Sequence, residues 1–260
     1  MEKYTALITG ASAGIGVDLA KRFAADGHDV VLVARRGPAL EALAGELASR
    51  HRIKARALAV DLARPEAAWE LVERLRGDGV APDVVVNNAG FGVQGRFADL
   101  PFERQMSIVQ VNVTALTALT RLLLPDMLRR NRGGVLNVAS TAAFQPGPLM
   151  AVYYATKAYV ESFTEAIAEE VRDSALRVSC LCPGPTTTEF QQVAEMTHTN
   201  LFRRKRMTSE DVARIGYDGW KRGAVVVVPG FTNRMGMLWV RFTPRATVRR
   251  VVRRLNDAPG

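Results

Sequence analysis

Short apolar runs alternate with longer amphipathic stretches along nearly the whole chain. "YTALITG" is a strand-length apolar run, and "VDLAKRFAADGH" after it sets Leu19, Ala20 and Phe23 at helical spacing. "DVVLVAR" predicts a second strand, and "PALEALAGELASRH" a helix opened by Pro38. "KARALAVDL", "PEAAWELVERLRGDG" and "PDVVVNNAG" continue as strand, helix and strand. A long helical tract runs from Pro101 to about Arg130, followed by the strand "GGVLNVAS" and a helix around "AVYYATKAYV". The strand "LRVSCLCPG", a helix from about Thr208 and the strand "AVVVVPG" complete the pattern. Seven buried strands alternating with helices predict an α/β fold, a doubly wound parallel sheet in a single domain. Such sheets bind ligands at the carboxyl ends of their strands.

A chain of 260 residues, 48% hydrophobic, suits one domain with a full core. No apolar run approaches the roughly 18 residues that would cross a bilayer. "MEKYTALITGASAG" lacks the basic and apolar regions of a signal peptide, so a cytoplasmic location is expected. Cys180 and Cys182 are expected to be buried, reduced thiols pointing to opposite faces of a strand. With His28, His51 and His198 scattered, no metal site is expected. The formal charge of +9 is uneven: residues 203–260 hold fourteen Lys or Arg against four acids.

"TGASAGIG" sets Gly10, Gly14 and Gly16 between a strand and a helix, with Ser12, Ala13 and Ile15 among them. A loop of that kind lets backbone N–H groups and a helix N-terminus meet a pyrophosphate. At the end of the second strand, where an acid would contact ribose hydroxyls, stand Ala34, Arg35 and Arg36. Two guanidinium groups match a 2′-phosphate, which points to NADP rather than NAD. In "AVYYATKAYV", Tyr153 lies four residues and Tyr154 three residues before Lys157. Both spacings share a helix face with the lysine, so local geometry leaves the two tyrosines equal.

The motifs "TGASAGIG", Asp61-Leu62, "NNAG" at 87–90, Asn112, Ser140, Tyr153-x-x-x-Lys157 and "PGPTTTEF" at 183–190 occur in one order. In that order and spacing the chain resembles the short-chain dehydrogenase/reductase family over nearly its whole length. The resemblance implies a Rossmann-type sheet with strand order 3-2-1-4-5-6-7, a homodimer or homotetramer, and nicotinamide-dependent oxidoreduction. It implies that Asp61 and Leu62 flank the adenine and that Asn88, Ala89 and Gly90 line the cofactor. Pro183 and Gly184 would also bind the cofactor, and Thr186 and Thr188 would reach its nicotinamide end. It also separates the tyrosines: Tyr153 is the acid/base, and Tyr154 takes a packing position. Ser140 would steady the substrate oxygen, and Lys157 would hold the ribose and favour the phenolate. Asn112 would hold a water linking Lys157 to solvent.

Phe91, Phe144, Leu149, Met150, Phe190, Met196, Leu201 and Phe202 suggest an apolar pocket. Arg96 is the one arginine placed to meet a substrate carboxylate. The expected substrate is a small hydrophobic ketone, aldehyde or secondary alcohol, turned over with NADPH. A non-catalytic dinucleotide sensor, or a scaffold at a membrane surface, is the alternative. Residues 1–233 read as the dinucleotide-binding and catalytic domain, and 234–260 as a basic amphipathic extension. From Pro244 onward, Val248, Val251, Val252 and Leu255 fall at helical spacing among Arg245, Arg249, Arg250, Arg253 and Arg254. That helix could dock on its own subunit or lie on an anionic membrane; nucleic acid fits least.

Overall fold

The computed structural model describes residues 3–189 and 206–257. Seven strands form one parallel sheet: β1 (Thr5–Thr9), β2 (Asp29–Ala34), β3 (Ala55–Ala59), β4 (Val84–Asn87), β5 (Gly134–Val138), β6 (Arg177–Leu181) and β9 (Val226–Val227). Their spatial order is β3-β2-β1-β4-β5-β6-β9, the order implied by the resemblance. Two short strands, β7 (Thr186–Thr187) and β8 (Met207–Thr208), pair separately. β1 pairs on one side with β2 and on the other with β4, so the chain winds outward in both directions from β1. The loops after β1 and β4 part there, which opens a crevice at the carboxyl edge.

Alternation along the strands feeds two cores. Ala6, Ile8, Val30 and Leu32 face α1 (Gly14–Ala25), α2 (Gly37–His51) and α7 (Ser209–Lys221). Leu7, Val31, Val33 and Val85 face the opposite side, with α3 (Ala67–Gly77) and α5 (Leu116–Arg130). The first core closes on Trp220, which is fully buried, packs on Phe23 at 5.5 Å and donates to Arg177 O at 3.0 Å.

α4 (Phe102–Val109), a π-helical turn (Gln110–Ala115) and α5 make one continuous helix. By length and composition that helix is apolar enough to span a bilayer, contrary to the sequence expectation. Its buried residues Leu116, Leu119, Leu123 and Met127 instead pack on the sheet. A buried polar chain crosses the same layer. Asn87 Nδ2 donates to Thr120 Oγ1 (3.0 Å) and Asn137 Oδ1 (2.9 Å), and Asn137 Nδ2 to Thr164 Oγ1 (2.9 Å). It ties α5, β4, β5 and α6 (Ala151–Glu170) at one height.

Two features depart from the sequence reading. Cys180 and Cys182 are buried and unbonded, but their sulfurs lie 3.6 Å apart. Residues two apart in a strand share a face, so the expectation of opposite faces was geometrically wrong. The tail forms two helices rather than one, α8 (Phe231–Phe242) and α9 (Arg245–Asn256), with Pro244 immediately before α9.

Trp220→Ala should lower stability by about 3–5 kcal/mol, the usual cost of emptying a large aromatic site. Denaturant unfolding measures it; a change near zero would show that the α1/α7 core does not depend on this ring.

Candidate active site

The cleft starts where β1 ends. Gly10 and Gly14 have φ of +65° and +54°, conformations that favour glycine. A Cβ on Gly10 would stand 2.8 Å from Asn88 Nδ2, and one on Gly16 would stand 2.3 Å from Gly10 O. The loop is therefore folded onto β4 as closely as backbone allows. Asn88 Nδ2 donates to Thr9 O (3.0 Å) and Gly10 O (3.2 Å), and Thr9 Oγ1 accepts from Asn88 N and Ala89 N, both at 3.0 Å. Thr9 is a buried clamp that sequence reasoning missed; a threonine closing a strand gives no distinctive signal. α1 opens at Gly14 after Ala13, which supplies no side-chain cap. Its first N–H groups are left for solvent or an anion.

A cleft of about 680 Å³ runs from this loop across the strand ends. It gathers Gly10, Ser12, Ala13, Gly14, Ile15, Arg35, Arg36, Asp61, Leu62, Asn88, Ala89 and Gly90 with Ser140, Tyr153, Lys157, Pro183, Gly184, Thr186 and Thr188. Gly16 and Asn112 are not on its wall. Gly16 serves the close approach of helix to strand. Asn112, on the π-helical turn, accepts from Phe91 N (3.1 Å) and donates to Phe91 O and Thr156 Oγ1 (both 3.0 Å). Its amide thus pins the segment after β4 to α6.

At the far end, Arg36 donates to Ser12 O (3.0 Å) and pairs with Glu189 at 2.9 Å. Arg35 is exposed, and no ion pair holds it among the described residues. Asp61 Oδ1 accepts from Ala63 N at 3.0 Å, which shapes the turn that carries Leu62. Thr188 stands over Gly14, where a Cβ would come within 2.9 Å of its methyl. Together with the Arg36–Glu189 pair, this makes the segment after β6 a strap across the glycine loop. Thr188 therefore sits against the glycine loop, while Thr186 Oγ1 donates to Gly184 O at 2.9 Å.

The reactive end is built on α6. Ser140 accepts from Ala142 N (3.1 Å) and lies within 3.3 Å of Pro183 O, which fixes its rotamer. Its hydroxyl also meets that of Tyr153. Burial pushes the Tyr153 phenol well above its ordinary value, and the Ser140 hydrogen bond only partly opposes this. Lys157 is buried, donates to Val138 O at 2.8 Å and lies 5.8 Å from the Tyr153 ring centroid. Burial lowers its pKa to about 8.

Of the expected pocket residues, Phe91 and Met150 line the cleft. Phe144 packs with Leu116 and Cys180, and Leu149 O accepts from Gly95 N. Phe190, Met196, Leu201 and Phe202 lie outside the described residues. Arg96 is exposed and off the cleft. Arg104 lines it instead, 5.7 Å from the Phe91 ring centroid.

Tyr154 does more than pack. Its ring fits over Gly147, and its hydroxyl donates to Asn256 Oδ1 at 3.2 Å. Asn256, fully buried near the end of α9, donates to Pro148 O (3.0 Å) and accepts from Gln94 Nε2 (2.5 Å). Val248 and Val252 pack with Ala142, Met150 and Tyr154. α9 therefore docks beside the reactive residues, its arginines outward.

The short chain dehydrogenase family matches residues 4–198. A short chain dehydrogenase of Pseudocercospora fijiensis is 35% identical over 73% of this chain, and the match spans 62% of that relative's length. A very-long-chain 3-oxoacyl-CoA reductase of Phaeosphaeria nodorum is 33% identical over 90% of this chain and 70% of its own. A short-chain dehydrogenase from Sphingobium yanoikuyae, solved with NADPH, superposes with a TM-score of 0.81 at 33% identity, covering 90% and 92% of the two chains.

Asn256→Ala should strand the Tyr154 hydroxyl and Pro148 carbonyl, costing about 1–3 kcal/mol. The cost should shrink in a Tyr154→Phe background, because one stranded group is already gone. A chain ending at Thr243 should melt lower still, since Met150 and Tyr154 lose their cover. Unchanged melting of both would show that α9 is not integral to the site.

Proposed function

The chain belongs to the short-chain dehydrogenase family, and on that premise we propose that it is an NADP(H)-dependent carbonyl reductase or alcohol dehydrogenase. Its substrate in this reading is an apolar ketone, aldehyde or secondary alcohol. The observation that carries the reading is the contact of the Ser140 and Tyr153 hydroxyls at one end of the cleft, with Lys157 buried behind them. Binding a dinucleotide does not require that pair; moving a proton to a carbonyl oxygen does. The same reading includes a homodimer or homotetramer.

The glycine loop fits a pyrophosphate, because Gly10, Gly14 and the opening turn of α1 form a cradle that side chains would fill. Arg35 supports NADP, since a guanidinium without an ion pair among the described residues suits a 2′-phosphate. The Sphingobium yanoikuyae relative with bound NADPH supports the same choice. Apolar Phe91 and Met150 on the cleft wall support a hydrophobic substrate, and a 3-oxoacyl chain, named for the Phaeosphaeria nodorum relative, is of that class.

When bound, the nicotinamide supplies or accepts the hydride. Tyr153, with its phenol held protonated by burial, gives its proton to the carbonyl oxygen during reduction. Ser140, held by Ala142 N, offers a hydrogen bond as negative charge develops on that oxygen. Lys157, still largely cationic at neutral pH, stabilises the tyrosinate left behind.

NADPH should bind more tightly than NADH, and Arg35→Ala should cost about 1.5–3 kcal/mol of that preference. Fluorescence titration of both cofactors tests this; equal affinities in the wild type would overturn the assignment.

Tyr153→Phe should remove nearly all turnover yet keep cofactor binding, while Tyr154→Phe should keep most of the activity. Lys157 is cationic below about pH 8 and neutral above it. Reductive kcat/KM should therefore hold through neutral pH and fall as pH rises past that value. In Lys157→Arg the charge persists, so any remaining activity should lose that alkaline limb. A limb unmoved by Lys157→Arg would assign it to another group.

A further inference from the structure

α8 presents two unlike faces. Met237 packs with Phe144, Cys180 and Val228, and Val240 packs with Ala142, Met150 and Tyr154. On the other side Phe231, Met235, Leu238, Trp239 and Phe242 are all exposed, Phe231 and Phe242 by 76% and 83%. Their spacing of four, three, one and three places them in one stripe along the helix. Arg234 and Arg241, seven apart, run along a border of that stripe. Between Phe231 and Asn256 there are seven arginines and no acid.

We propose that the outer face of α8 seats on an anionic lipid surface, its apolar stripe among the acyl chains and its arginines at the headgroups. Charge selects this occupant. A two-fold pairing with a second copy would face each stripe with itself and bring the bordering arginines together. The surface is also small for that purpose. A twelve-residue helix is about 18 Å long and about 10 Å wide, so its outer face offers on the order of 200 Å², well short of the roughly 800 Å² per partner of a stable pair. An anionic bilayer adds electrostatic attraction to whatever apolar area is buried, and its interface is where amphipathic aromatic rings such as Trp gather. α9, the helix whose arginines first suggested a membrane, turns its valines inward; α8 supplies the free apolar face. Because the inner face of α8 packs on Ala142 and Met150, such seating would put the cleft wall next to the lipid. The inference does not depend on the catalytic reading.

The test uses the full chain and vesicles of phosphatidylcholine, with or without phosphatidylserine. Co-sedimentation at low salt should favour the phosphatidylserine vesicles by at least about tenfold and weaken as salt rises. A Trp239→Gln/Phe242→Gln double variant should lose about tenfold or more in binding, with melting unchanged because both side chains are exposed. Three results would overturn the proposal. They are equal or absent binding to both vesicle types, wild-type binding by the double variant, and a concentration-dependent dimer dispersed by that variant. The last would assign the stripe to a second copy.

Discussion

The buried chain of side-chain hydrogen bonds from Thr120 through Asn87 and Asn137 to Thr164 sets the frame for the rest of the molecule. Strands β4 and β5 are otherwise apolar, and sliding one of them by a residue would strand amides in a medium without water. Each unpaired group would cost about 1–3 kcal/mol. The network therefore fixes α6 against β5, and α6 carries Tyr153 and Lys157. Lys157 Nζ then donates to Val138 O, at the carboxyl end of the same strand.

From that fixed height the two ends of the cleft are built by different means. The glycine-loop end is backbone: glycines in left-handed geometry, a helix start, and Thr9 and Asn88 pressing the loop onto β4. The reactive end is side chains with titration behaviour set by burial. Burial acts oppositely on its two groups, because it disfavours charge: the phenol keeps its proton, and the ammonium gives its proton up more readily.

The C-terminal helices complete this end from outside. α9 inserts Asn256 between Tyr154 and Pro148 and covers Met150. The two adjacent tyrosines thus face different tasks. One hydroxyl meets Ser140 in the cleft, and the other anchors the tail a hundred residues away. Their rings meet edge to face at 6.0 Å, so disturbance of the anchor has a short route to the reactive group.

Local chemistry by itself determined the alternation of strands and helices and the glycine loop, while the choice of Tyr153 over Tyr154, with Ser140 and Lys157, came from the resemblance to the family. The alternation and the loop are written in periodicity and in a motif of fixed spacing, and a sheet buried on both faces leaves such patterns little freedom. Tertiary structure decided everything that depends on distant segments meeting. Only packing shows that Asn112 spends its amide on Phe91, that Arg36 is taken by Ser12 and Glu189, and that Tyr154 bonds Asn256. Only burial shows that α8 keeps its apolar stripe outside while α9 turns its valines in, since both helices read as amphipathic. The direction of the Tyr153 and Lys157 shifts was hidden for the same reason: desolvation is a property of the enclosure, and no stretch of sequence contains it.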